Sequence, residues 1–215
     1  VSTDNGVTYT NVNNGGSYSG ANTATLTISG ITTALDGNLY KDSLFVTSCN
    51  SNIVTNASEL TVNPVPTVTI TAAPANTQFY PGLTTTLTAA SSTSASVYKW
   101  YKNGVLIPGA NGSTLFVDVD GAGDYTVTIT DANGCSGTSA ATTITTVSND
   151  VLFIYPSPNT GQFQVRYYNT DGNTTNIRTL SVYDSKGARV YSKVYDINQP
   201  YTRMDVDMRN YSKGV

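Results

Sequence analysis

Histidine is absent from the 215 residues, and with it goes the side chain that titrates nearest neutral pH and the commonest ligand for transition metals. Hydrolase triads and zinc sites are poor expectations for such a chain. Cysteine is nearly absent too: Cys49 and Cys135 are the two copies, so there is no CxxC metal or redox motif and no framework of several disulfides. Charge is sparse at 12%, and a net charge of −3 gives no long-range attraction for nucleic acid or an anionic membrane. No apolar run reaches the length of a membrane span, and the opening residues lack the pattern of a signal peptide, which predicts more chain upstream of Val1.

What is abundant is Thr, Ser, Asn, Gly and Tyr, with 15 tyrosines and 18 glycines. Thr and Tyr suit pleated surfaces while Asn and Gly make turns, so the composition predicts an all-β, extracellular protein. A long-period repeat organises it. Ser19-Gly-Ala-Asn-Thr-Ala-Thr-Leu-Thr-Ile28 matches Pro108-Gly-Ala-Asn-Gly-Ser-Thr-Leu-Phe-Val117 at an offset of 89 residues, while Tyr40 answers Tyr125 and Cys49 answers Cys135 at offsets of 85 and 86. That period fits tandem sandwiches better than a solenoid, whose repeats run about 20 to 45 residues. The predicted domains are residues 1–64, a module lacking its first strands; 65–148, a complete module; and 149–215, a small C-terminal unit. The segments Asn63-Pro-Val-Pro66 and Val147-Ser-Asn-Asp150 are too short for free tumbling and predict a semi-rigid string.

In the second copy, Thr67–Ile70, Thr84–Thr88 and Val97–Lys102 read as strands, the last ending at the Asn103-Gly104 hairpin turn with Trp100 as core anchor. Trp100 is expected to be buried with Leu87, Tyr125 and Val127. The frame Trp-Tyr-Lys-Asn-Gly followed by Gly121-Ala-Gly-Asp-Tyr-Thr-Val127 resembles the immunoglobulin-like and PKD-like modules of Bacteroidetes surface proteins. The resemblance implies that the Tyr125 hydroxyl bonds back to the backbone in a tyrosine corner. One departure stands out: the Asp expected four residues before Tyr125 is Gly121, with Asp120 displaced by one, whereas the first copy keeps Asp36 before Tyr40. In related modules the hairpin Cys bridges to a Cys entering an early strand, a position that resembles Tyr80 here. Cys49 and Cys135, at equivalent sites of successive modules, are expected to be unpaired with each other.

The third unit opens with an apolar run, Val151–Tyr155, stopped by Pro156 and Pro158; the Asn159-Thr-Gly161 turn follows, then the alternating Gln162–Arg166. Leu180-Ser-Val-Tyr-Asp-Ser-Lys-Gly187, Met204-Asp-Val-Asp-Met208 and Ser212-Lys-Gly-Val215 follow in order. Together these resemble the C-terminal sorting domain of type IX secretion cargo, with Ser157 replacing the usual Asn of Pro-Asn-Pro. The resemblance implies that Pro156, Pro158, Gly161, Asp184, Gly187, Lys213 and Gly214 carry the sorting pattern and that the last strand of the sandwich is missing. It further implies a partner in the outer membrane, a barrel shuttle or translocon, that engages an open strand edge. Export to the cell surface or medium follows, with cleavage of the domain and linkage of the cargo to lipopolysaccharide or another surface glycan.

Other constellations carry less. Asp118, Asp120, Asp124 and Asp131 crowd one end of the second copy, but their spacing is not that of an EF-hand loop and calcium needs about six to eight oxygen ligands. Asp205 and Asp207 stand two apart on one strand, a spacing that two glycosidase carboxylates can take, yet solvated outer-face charges do the same. Tyr167 and Tyr168 must point to opposite faces, which predicts one exposed ring able to stack on a sugar. Asp42-Ser43-Leu44 resembles a Bacteroidetes O-glycosylation acceptor, with Ser43 as the modified residue. No catalytic residue, metal or cofactor is expected, and any enzyme would lie upstream. The leading expectation is the C-terminal region of an exported multimodular protein with two spacer modules and a sorting domain; the alternative is an adhesive or glycan-binding surface filament module.

Overall fold

The computed structural model describes residues 1–169 and 176–211. These residues form twenty strands and two single-turn 3-10 segments, and no helix among them is long and apolar enough to cross a membrane. The all-β expectation holds. Two compact units are present: Val1–Val65 with Asn133–Cys135, and Pro66–Ala132 with Ser136–Val215.

In the first unit the strands are short and paired only in twos. Strands β1 (Tyr18–Ser19) and β2 (Thr27–Ile28) form one pair, β3 (Leu39–Tyr40) and β6 (Ser58–Glu59) a second, and β4 (Ser43–Val46) and β5 (Ser51–Val54) a third. In the last pair Leu44 faces Ile53 across the ladder, and both remain exposed, at 61% and 60%. Thr, Asn and Gly make up much of this unit; Asn and Gly supply turns, and none of the three brings a large apolar side chain.

The second unit holds a packed sandwich. One sheet has the order β11–β10–β13–β15–β8, with β14 also on β13: β8 is Gln78–Phe79, β10 Ala95–Lys102, β11 Val105–Leu106, β13 Gly123–Asp131, β14 Ser136–Thr138 and β15 Thr142–Thr146. The facing sheet runs β12–β9–β7, from Thr114–Val117, Thr85–Ser91 and Val68–Ala73. Alternation in the sequence becomes alternation in space: Leu87 and Ala89 of β9 and Tyr125, Val127 and Ile129 of β13 point inward, with Thr residues between them outward. Trp100 is fully buried in the same core as Leu87, Tyr125 and Val127, and its indole N–H donates to the Gly112 carbonyl at 2.9 Å. Asn103 (φ +50) and Gly104 (φ +77) make the tight turn from β10 into β11, as their sequence predicts. The Tyr125 hydroxyl donates to the Gly121 carbonyl at 2.5 Å, the corner bond expected of it.

The remaining strands of this unit are β16 (Phe153–Tyr155), β17 (Gln162–Arg166) and β20 (Met204–Asp207) in one sheet, and the hairpin β18 (Asn176–Tyr183) with β19 (Arg189–Ile197). Val165, Ile197, Met204 and Val206 form their own small core, with Phe163, Leu180 and Met208 packed against it. This layer does not hang from a linker. Phe153, Tyr168 and Tyr201 belong to the sandwich core, where Phe153 stacks on Tyr80 with centroids 5.9 Å apart. Tyr201 is fully buried and meets Phe153 and Tyr168 edge-on, at 5.8 and 5.4 Å.

Candidate functional site

The residues singled out in the C-terminal region build two turns. In the first, β16 pairs with β17 in the register Phe153↔Arg166, Ile154↔Val165 and Tyr155↔Gln164, and the connection carries Pro156 and Pro158 in exposed positions where a missing N–H costs no ladder bond. Asn159 closes this loop by accepting the Gly161 amide on its side-chain oxygen at 2.9 Å. Gly161 has φ +96, and its carbonyl accepts the Met208 amide at 2.6 Å. A Cβ there would lie 3.2 Å from the Arg209 amide nitrogen, so both backbone conformation and close approach call for glycine. Next to it, Asp207 pairs with Arg209 at 2.7 Å and accepts from Gln162, and these donors hold its carboxyl far below the usual range.

The second turn joins β18 to β19. Asp184 accepts the amides of Lys186 and Ala188 on one side-chain oxygen, at 2.9 and 2.8 Å, and its own amide donates to the Ala188 carbonyl. Gly187, at φ +80 with open space where a Cβ would stand, is required by conformation alone. Lys213 and Gly214 lie outside the described residues.

The acidic candidates disperse into separate tasks. Asp118 caps the turn Val119–Gly121 by accepting the Asp120 amide, Asp124 accepts the Thr143 hydroxyl, and Asp120 pairs with Arg166. Asp205 pairs with Arg203 and Asp207 with Arg209, each two residues away. Among the described residues no three His, Cys, Asp or Glu side chains gather as a metal site. Cys49 and Cys135 are not joined to each other, as expected. Ser43 is exposed on β4, reachable for modification.

The tyrosine pair behaves differently from expectation. Tyr167 packs against the C-terminal core and Tyr168 against the sandwich core, so the two do take opposite faces, but neither ring stands in the open. The reason is that their segment is covered on both sides. Arg166 shows the same thing: Val165 and Arg166 are adjacent in a strand and both buried. Its guanidinium, 3% exposed, binds Asp120 through two parallel contacts, Nη1 to Oδ1 and Nη2 to Oδ2, the second at 2.7 Å. Nη1 also donates to the Tyr201 carbonyl at 3.1 Å and Nε to the Gln164 side chain at 3.0 Å. The bond to Arg166 holds the Asp120 carboxyl below its ordinary pKa, against burial that pushes it up.

Sequence reasoning singled out Asp120 as displaced but not its partner. An arginine at an apparently outward position of a half-buried strand reads as solvated. The available signal was the displacement itself: Asp36 of the first unit accepts the Val62 amide at 2.7 Å, whereas Asp120, one residue out of register, reaches Arg166.

Residues 153–215 match a family model described as a secretion system C-terminal sorting domain. No curated protein matches the chain. The match marks the C-terminal part of this chain as a secretion sorting unit, and thereby the chain as exported, to the medium or the cell surface.

Proposed function

We propose that this chain is the C-terminal region of a cargo protein of the type IX secretion system, in which residues 149–215 direct export across the outer membrane and residues 1–64 and 65–148 are immunoglobulin-like spacers. The observation that carries the reading is the sorting-domain match over residues 153–215, supported by the two turns in which Gly161, Asp184 and Gly187 do work specific to their residue types. The Tyr125 corner and the buried Trp100 support the immunoglobulin-like reading of the second module.

The machinery would recognise shape and strand edges rather than charge, since the net charge is −3 over the whole chain. Among the described residues, strands β16 and β20 are the two edges of their sheet and offer backbone N–H and C=O groups for strand addition by an outer-membrane component. The chain itself is not catalytic in this reading, and its attachment to a surface glycan follows export.

The test is export of a reporter carrying the full chain in a bacterium with type IX machinery. Reporter in the medium or on the surface, lost on deleting residues 149–215, is the expected result, with mass spectrometry of the exported protein locating any cleavage near Asn149. Export that survives the deletion contradicts the proposal.

A further inference from the structure

The seam between the sandwich and the C-terminal layer is built as though it were meant to open. Tyr201 sits in it at φ +60, in the left-handed region where a bulky side chain is an outlier. Such a conformation persists only where the surroundings over-determine it, and here every group of the residue is engaged. The ring is wholly buried among Phe153, Tyr168 and the sandwich core; the hydroxyl donates to the Val147 carbonyl at 2.8 Å; the amide donates to the Tyr167 carbonyl at 3.2 Å; the carbonyl accepts from Arg166. Against that carbonyl stands the buried Arg166 guanidinium, satisfied through a carboxylate of the other layer that is itself half exposed. Strain, a buried cation and an aromatic cluster are thus concentrated at one junction, and separating the layers relieves the first while uncovering the other two.

We propose that this seam is a reversible latch. In the free chain the C-terminal unit is docked on the preceding module, and docking masks a face made by Phe153, Arg166, Tyr168 and Tyr201. The partner that fits this face when it opens is a protein surface presenting a carboxylate beside aromatic or apolar groups, because that is the chemistry with which Asp120 and Tyr80 occupy it now. The inference concerns how the unit is presented and does not depend on which machinery receives it.

The test uses the full chain in vitro. Amide exchange is followed in wild type, Asp120→Ala and Arg166→Met, with the single Trp100 reporting whether the sandwich stays folded. The anionic aromatic dye 8-anilinonaphthalene-1-sulfonate, which combines a negative group with rings, probes the masked face. Opening the latch accelerates exchange in β16, β17 and around Tyr201 by about tenfold or more in both variants, while β9 and β13 stay within about twofold of wild type. Dye fluorescence rises in Asp120→Ala, which frees the cation, and rises less in Arg166→Met, which removes it. Should Asp120→Ala unfold the sandwich, Arg166→Met carries the exchange test, since it leaves behind only a half-exposed carboxylate. Unchanged exchange at β16 and β17 with Trp100 native overturns the proposal, and equal dye binding by both variants overturns the assignment of the masked face.

Discussion

The two copies of the repeat begin from similar residues and end in different states. Tyr125 donates its hydroxyl to the Gly121 carbonyl and sits in a full core; its counterpart Tyr40 meets the Tyr18 hydroxyl at 3.1 Å in a unit whose buried residues are Ser2 and Asn38 rather than apolar ones. Ile129 is fully buried, while Leu44, its counterpart at the Tyr40 offset, is 61% exposed. The lesson is that a shared motif fixes turns and local bonds, whereas burial depends on what the opposite sheet supplies. In the second copy β7, β9 and β12 supply it; among the described residues of the first unit the pairs stay two-stranded. Asp36 and Asp120 diverge in the same way, one closing its own module and the other holding a neighbouring layer.

The sharpest break of this comparison is Trp100→Ala, which removes the largest buried side chain of the sandwich and costs about 3–5 kcal/mol, enough to unfold a marginal domain. Leu44→Ala, at an exposed site, stays within about 0.5 kcal/mol. Chemical denaturation read by circular dichroism for both variants checks the contrast; equal costs would mean the two copies are packed alike.

Asp120→Ala comes next. It leaves a buried arginine without its counter-charge, and because the aspartate is half exposed the cost is about 2 kcal/mol, below that of a fully buried pair. Asp36→Ala loses one exposed bond to a backbone amide and costs about 1 kcal/mol. Thermal melts of the two single variants measure the difference.

Gly161→Ala and Gly187→Ala separate the two sorting turns. Both demand a positive φ, which costs about 1 kcal/mol for alanine, but at Gly161 the new methyl also crowds the Arg209 backbone, so its loss is the larger. Matching losses would show that the approach to Arg209 relaxes freely.

The smallest effect is in pH. Asp120 has its pKa lowered first by the bond to Arg166 and then by the charges of Arg166, Arg203 and Lys102, while Asp118 and Tyr155 also face Arg166. A depressed carboxylate stabilises the folded state above its unfolded pKa, and this contribution is lost as pH falls through the folded value. Exchange at β16 and β17 should therefore speed up below about pH 4 before that of β13 does. Arg166→Met should abolish this early step.

Much of this was legible from residue order. Alternation located β9, β10 and β13, Asn103-Gly104 located the hairpin, and Tyr125 and Trp100 announced the corner and the core. The turns at Gly161 and Asp184–Gly187 were legible because glycine at positive φ and aspartate capping its own loop are local requirements. What stayed hidden was non-local. A strand covered on both faces breaks the in-out rule, so Arg166 read as solvated and Tyr167-Tyr168 as half exposed. Tyr201, held in a left-handed conformation by contacts with residues 33 to 54 positions earlier in the chain, from Tyr168 to Val147, has no sequence signature at all.

The most direct test of the account is whether the sandwich and the C-terminal layer unfold together. Urea titration of the full chain, with Trp100 fluorescence reporting the sandwich and amide exchange of β17 and β20 reporting the C-terminal layer, decides it. The shared core around Tyr201 and the Arg166–Asp120 pair predict coincident midpoints in wild type and separated ones in Arg166→Met. A C-terminal layer that melts well before Trp100 in the wild-type chain would contradict it.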